Sequence, residues 1–238
     1  IMDILMSFAI IGLSAMIHAS FHLSISILTL LSGHTLSRER SHLKLVKLSS
    51  ALTFGAVSAT ILLFCSLAFT LEIFYSFKLY QAIWATLIGT SIGTAFSVWI
   101  FYYRRNSVKT SGTEMWVPRS FAKYLNSRAQ KTRHSAEAFS LGVSSILSEV
   151  IFIATPIISA ALASIHLQPA YQFLAVILYV SVANLPLFII SCLISGGHPL
   201  AQIQIWRENN KRFLQFAAGL GLIILALVIF INIFEVKL

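Results

Sequence analysis

The chain has 238 residues, 57% of them apolar and only 11% charged, with a formal net charge of +9. Soluble domains carry about 25% charged residues. With a mean hydropathy of +0.83, this deficit excludes an ordinary soluble domain, a disordered chain and a coiled coil, and it points to a polytopic membrane protein.

A helix needs about 20 apolar residues to cross a bilayer, and six segments qualify: 4–31, 48–73, 80–103, 138–164, 170–195 and 213–234. Backbone polar groups in lipid must be satisfied within the segment, so these are expected as helices. None shows the alternation of a membrane β-barrel. The first run exceeds a signal peptide's apolar stretch and lacks a basic leader, so it counts as a span.

The first span holds His18 and His22 at i,i+4, which predicts one shared helix face, extended a turn either way by Ser14 and Ser26. Two imidazoles at this spacing can ligate one divalent metal, with Glu149 as a candidate third ligand. Structural hydrogen bonding of the two histidines is the competing reading. A haem does not fit, because two histidines on one helix turn cannot reach opposite faces of the ring, and no cofactor is expected. The second span carries Thr60 at its centre. The third carries Gly89 and Gly93 as a GxxxG with threonines nearby, which predicts a helix buried by close packing.

After it comes the longest polar segment, 104–137. Within it, VPRSFAKYLNSRAQK reads as a short helix opened by Pro118, with Val117, Phe121, Tyr124 and Leu125 on one face. An interfacial helix and a solvated linker both suit this pattern. The fourth span contains Glu149, the only acidic residue well inside a span. An ionised residue at mid-bilayer costs about 2.5–3.5 kcal/mol, so such groups usually face a protein interior or cavity. A cation or proton site is one reading of Glu149; a protonated carboxyl bonded to a neighbouring helix is the other. Pro156 is expected to interrupt this helix, and Pro186, two residues after Asn184, to kink the fifth. The sixth span is almost wholly apolar and is expected to face lipid.

Arginine and lysine fix the expected orientation. Of the 17 basic residues, fifteen lie in the alternate loops 32–47, 104–137 and 196–212, leaving only Lys78 and Lys237 on the other side. Basic loops resist translocation, so these three are expected in the cytoplasm and both termini outside, in a membrane of the bacterial inner-membrane type. The same bias accounts for the net charge, with anionic lipid headgroups rather than nucleic acid as its partner.

Three spans precede the long basic loop and three follow it, so the halves 1–103 and 138–238 must enter the membrane from opposite sides. Inverted repeats of this kind build many transporters. A shift of 130 residues sets GLSAMI (12–17) on GVSSIL (142–147), and a shift of 124 sets SATILLF (58–64) on VANLPLF (182–188), pairing Thr60 with Asn184. His18, Thr60, Glu149 and Asn184 lie near the centres of four spans, which suggests one shared central site.

Six helices, a long cytoplasmic loop after the third and 3+3 inverted halves resemble the superfamily of LysE-type exporters, NicO-type nickel/cobalt exporters and the DsbD/CcdA electron-transfer proteins. The segment GLSAMIHASFHLSI (12–25) is similar to the first-helix motif of the DsbD-like branch, with His18 in place of the motif's histidine. Ala19 stands where that motif has its first cysteine, and the only cysteines, Cys65 and Cys192, sit in other apolar runs. Thiol–disulfide transfer needs paired thiols, so the resemblance implies the fold and not the redox chemistry.

Two functions follow as expectations. One is a secondary transporter exporting a small solute or cation through a site formed by His18, His22, Thr60, Glu149 and Asn184. The other is a non-catalytic subunit that assembles with partner membrane subunits. No GxxxxGK[ST] loop implies ATP, and no Ser–His–Asp set, HExxH or paired carboxylates imply an enzyme.

Overall fold

A computed structural model of the chain describes residues 4–22, 42–76, 80–103, 124, 127–129, 131–197, 205–206 and 209–235. Every regular element among them is a helix. In chain order these are α1 (Ile4–Ser20), α2 (His42–Ser76), α3 (Tyr80–Ser97), α4 (Ser135–Ser164), α5 (Pro169–Ala183), α6 (Leu185–Ser195) and α7 (Lys211–Glu235), with α3 running on into a π-helical stretch, Val98–Tyr103. α2, α3, α4 and α7 are each long and apolar enough to cross a bilayer, and α5 with α6 form a fifth, broken crossing bent by 55°. These lengths, and the large apolar side chains such as Leu62, Ile151 and Phe173 that cover the outside, mark an all-helical, multi-pass membrane protein.

α1 corrects the first expected span. Its 17 residues fall short of a crossing, and it ends at Ser20 rather than running to residue 31. At its end the Phe21 N–H turns to the His18 carbonyl at 3.0 Å, an i to i−3 bond, and Ser20 Oγ donates to the Ile17 carbonyl at 2.6 Å. These bonds take up carbonyls that a continuing helix would offer to later N–H groups. Residues 23–31, Ser26 among them, lie outside the described residues.

α4 is the central element, packed along both α1 and α2. It opens with the Glu137 carboxylate accepting the N–H groups of Arg133, at 2.8 Å, and His134, at 3.4 Å. This satisfies donors that a helix start leaves unpaired. The helix then runs without a break to Ser164, so Pro156 does not interrupt it; the proline sits inside the helix and is buried. Proline removes one i to i−4 bond, here to the Phe152 carbonyl, and neighbouring helices can hold the backbone straight around such a gap.

The α5–α6 break falls at the expected place. Asn184 is the pivot, with φ −94° and ψ 3°. Its N–H and its Nδ2 both donate to the Val180 carbonyl, at 3.1 and 2.9 Å. Pro186 follows in the first turn of α6, where its missing N–H costs nothing.

α3 and α7 form a pair on the side of this core. Ser91 Oγ donates to the Leu222 carbonyl at 2.8 Å, and Trp99 stacks on Phe216 with centroids 5.7 Å apart. Two further expectations are corrected here. Gly89 and Gly93 are exposed, with nothing among the described residues within 4 Å of where a Cβ would stand, so the GxxxG is not a packing seam among the described helices. The last span does not face lipid all round: Gln215, Ala218, Leu222, Leu225 and Ile229 are buried on the side that packs against α3 and α1. Most of the expected interfacial helix at 117–131 lies outside the described residues; of those described, Tyr124, Ser127, Arg128, Ala129 and Lys131 are helical.

Candidate functional site

Four elements converge on one buried polar cluster. α1 supplies His18 from its last turn, the chain just past α1 supplies His22, α4 supplies Glu149 and α5 supplies Tyr179. All four side chains are fully buried. One ligating atom from each of His18, His22 and Glu149 lies within 4.8 Å of the others. The His22 Nδ1 stands 3.3 Å from Glu149 Oε2, and the two imidazole centroids are 5.2 Å apart. The histidines therefore meet as expected, although not on one continuous helix face. His22 is brought back toward His18 by the turn that ends α1.

The surroundings explain how ionisable groups persist at this depth. Burying a polar or ionisable group is expensive unless it is partnered, and the His22 imidazole stands within 3.3 Å of the Glu149 carboxyl. Phe21, between the two histidines in sequence, stacks on Phe152 of α4 with centroids 5.7 Å apart. That stack pins the post-helical turn against α4. The carboxyl end of α1, the negative end of its dipole, also points the local field in favour of positive charge.

Tyr179 is the functional neighbour that sequence reading missed. Its hydroxyl is 2.9 Å from His18 Nδ1, and its ring lies 5.0 Å from that of Phe64 on α2. One signal for it exists: membrane tyrosines concentrate at interfaces, whereas Tyr179 stands among aliphatics only five residues before the Asn184 break. With Nδ1 engaged, His18 presents a buried Nε2 that has no hydrogen-bond partner among the described residues. Tyr179→Phe should therefore cost about 1 kcal/mol of stability, the value of one buried bond. Tyr179→Ala should cost about 3–5 kcal/mol through the cavity it opens. Thermal unfolding of the purified variants in detergent measures both.

Thr60 and Asn184 are buried too, but their donors turn to their own helices. Thr60 Oγ1 bonds the Ala56 carbonyl at 2.9 Å, and Asn184 Nδ2 bonds Val180 as described. Asn184 Oδ1 remains buried without a partner, as does the Oγ of Ser14, one turn before His18. Among the sequence-predicted residues, His18, His22 and Glu149 thus form one cluster, while Thr60 and Asn184 contribute to helix geometry nearby in the core. Comparison with protein-family models, with curated proteins and with solved structures returned no match.

Proposed function

We propose that the chain is an ATP-independent transporter, an exporter of a small solute or cation, that binds its cargo at mid-membrane beside Glu149. The observation that carries this reading is the fully buried His18–His22–Glu149 cluster, placed where α1 ends and touched from α5 by Tyr179, five residues before the Asn184 break. Broken helices near the midplane are where transporters build ion and substrate sites. In this reading the chain crosses the membrane six times, the three basic loops face the cytoplasm, and both termini lie outside.

The contact pattern supports two inverted halves. Exchange of α1 with α4, α2 with α5–α6, and α3 with α7 maps the helix contacts onto one another. The contact of α1 with α5 becomes that of α4 with α2, and α1 with α7 becomes α4 with α3. The contacts α1–α4, α3–α7 and α2 with α5–α6 map onto themselves. Such a pseudo-two-fold lets the same chain adopt two mirrored arrangements, open to one side and then the other.

Alternating access makes a prediction that needs no knowledge of the cargo. Ser14→Cys, in a background with Cys65→Ser and Cys192→Ser, places one thiol a helical turn from His18. A charged, membrane-impermeant thiol reagent should label it in both right-side-out and inside-out vesicles. Labelling from neither side, or from one side alone, would overturn the proposal.

A further inference from the structure

We infer that the cargo bound at this site is a divalent first-row transition-metal ion of the Zn2+, Ni2+ or Co2+ class, held by His18, His22 and Glu149. The inference rests on the transporter reading and names its substrate class.

Distances carry the first step. A tetrahedral ion bound at about 2.0–2.1 Å to nitrogen or oxygen holds neighbouring ligand atoms about 3.3 Å apart. His22 Nδ1 and Glu149 Oε2 stand 3.3 Å apart, and the third ligating atom lies within 4.8 Å of both. Closing a 4.8 Å separation to this spacing takes a shift of about 1.5 Å at most in one imidazole.

The donors decide which ions. Imidazole suits Zn2+, Ni2+, Fe2+ and Cu2+, with Co2+ between Fe2+ and Ni2+ in the affinity order of the same divalent series. Ca2+ and Mg2+ want six or more oxygen ligands, and the cluster offers one carboxylate. Cu+ prefers thiolate or thioether sulfur; Cys65 and Cys192 are exposed and Met16 is exposed, all outside the cluster. The net charge of the neutral imidazoles and the carboxylate is −1, so a dication leaves a single positive charge beside the negative end of α1.

Second-sphere support is also present. Metal-bound histidine usually fixes its other ring nitrogen through a hydrogen bond. His18 has this arrangement, with Tyr179 on Nδ1 and the buried Nε2 left for a ligand. Three protein ligands leave a coordination position open, as in zinc sites whose ligands must exchange rather than in closed structural sites. An ion that is carried must also be released, and the open position is its route of exchange.

Titration of the purified full chain in detergent with Co2+, followed by its visible d–d absorption, tests the assignment. One saturable site per chain is expected. His18→Gln, His22→Gln and Glu149→Gln should each weaken it about 100-fold or more, and Tyr179→Phe about tenfold. Should a variant fail to fold, Cu2+ bound to the parent protein should show electron-paramagnetic hyperfine splitting from two nitrogens. No saturable Co2+ binding to the parent, binding that the three variants leave unchanged, or Cu2+ without two-nitrogen splitting would each overturn the metal assignment. Its failure is separable from that of transport. No Co2+ binding with Ser14→Cys still labelled from both sides removes the metal and keeps the transporter. Saturable, variant-sensitive binding with no labelling keeps the metal site and removes its transport.

Discussion

Gly142→Leu is expected to unseat the whole bundle, whereas Gly89→Ala and Gly93→Ala leave it standing. A Cβ on Gly142 would run into the Leu52 carbonyl oxygen and the Ala56 nitrogen, and a Cβ on Gly55 would run into the Phe139 carbonyl oxygen. The backbones of α2 and α4 therefore touch across two glycines, the close approach that small residues permit in membranes. A clash with backbone has no rotamer escape, so the helices must separate. Separation exposes or loosens Leu48, Leu52, Ala56 and Ile146, all buried along the two helices. Overpacking of this kind costs about 3 kcal/mol or more, a large share of the roughly 5–15 kcal/mol that holds a domain together. Nothing stands within 4 Å of a Cβ at Gly89 or Gly93, and alanine there gains about 1 kcal/mol of helix propensity. Size-exclusion chromatography after stepwise heating compares the three. An unchanged melting profile for Gly142→Leu would mean that the α2–α4 crossing is not this tight. The same crossing sets the position of Glu149, two turns further along α4, so loss of the fold and loss of the site should coincide.

The contrast between these glycines also measures what the chain reveals before it folds. A GxxxG motif reads as a packing seam because it advertises two small residues on one face, yet in α3 that face points outward. Gly55 and Gly142 are isolated in different helices. Nothing local says that they will meet, because the meeting is decided by how α2 and α4 cross. Apolar run length, by contrast, depends only on neighbours in sequence, and it placed the helical segments well. The break at Asn184 was legible for a local reason, since Pro186 suits the first turn of a new helix, but the same rule misled at Pro156, which neighbouring helices hold inside an unbroken α4. The end of α1 was not legible. Ser20 and Phe21 interrupt no apolar pattern, and the turn there is held by a side-chain bond to Ile17 and by Phe152 of another helix. Energy cost did the rest: Glu149, His18 and His22 stood out because polar groups in oil must find each other, and in the fold the three lie within reach of one ion.

His22 and Glu149 should show strong coupling in stability and a shared loss of function. His22→Ala removes the imidazole 3.3 Å from a fully buried carboxylate. Removing one partner of a buried pair costs about 3–5 kcal/mol, because the charge that remains has lost its compensation. Glu149→Leu combined with His22→Ala removes both polar groups and fills part of the space with hydrocarbon. The double variant is therefore expected to recover most of that loss, which a double-mutant cycle in thermal unfolding reads directly as a coupling energy. Additive losses would show that the two groups are neighbours without being partners. Transport should follow a different rule. Glu149→Gln keeps the shape of the side chain and removes its charge, so it should fold and yet move no cargo in reconstituted vesicles. The double variant, although the more stable one, should be equally inactive. A membrane helix gains nothing in stability from a carboxyl group that can cost about 2.5–3.5 kcal/mol at mid-bilayer. Stability restored by hydrocarbon without activity would therefore separate the two roles, showing that the pair serves the proposed cargo site and not the fold.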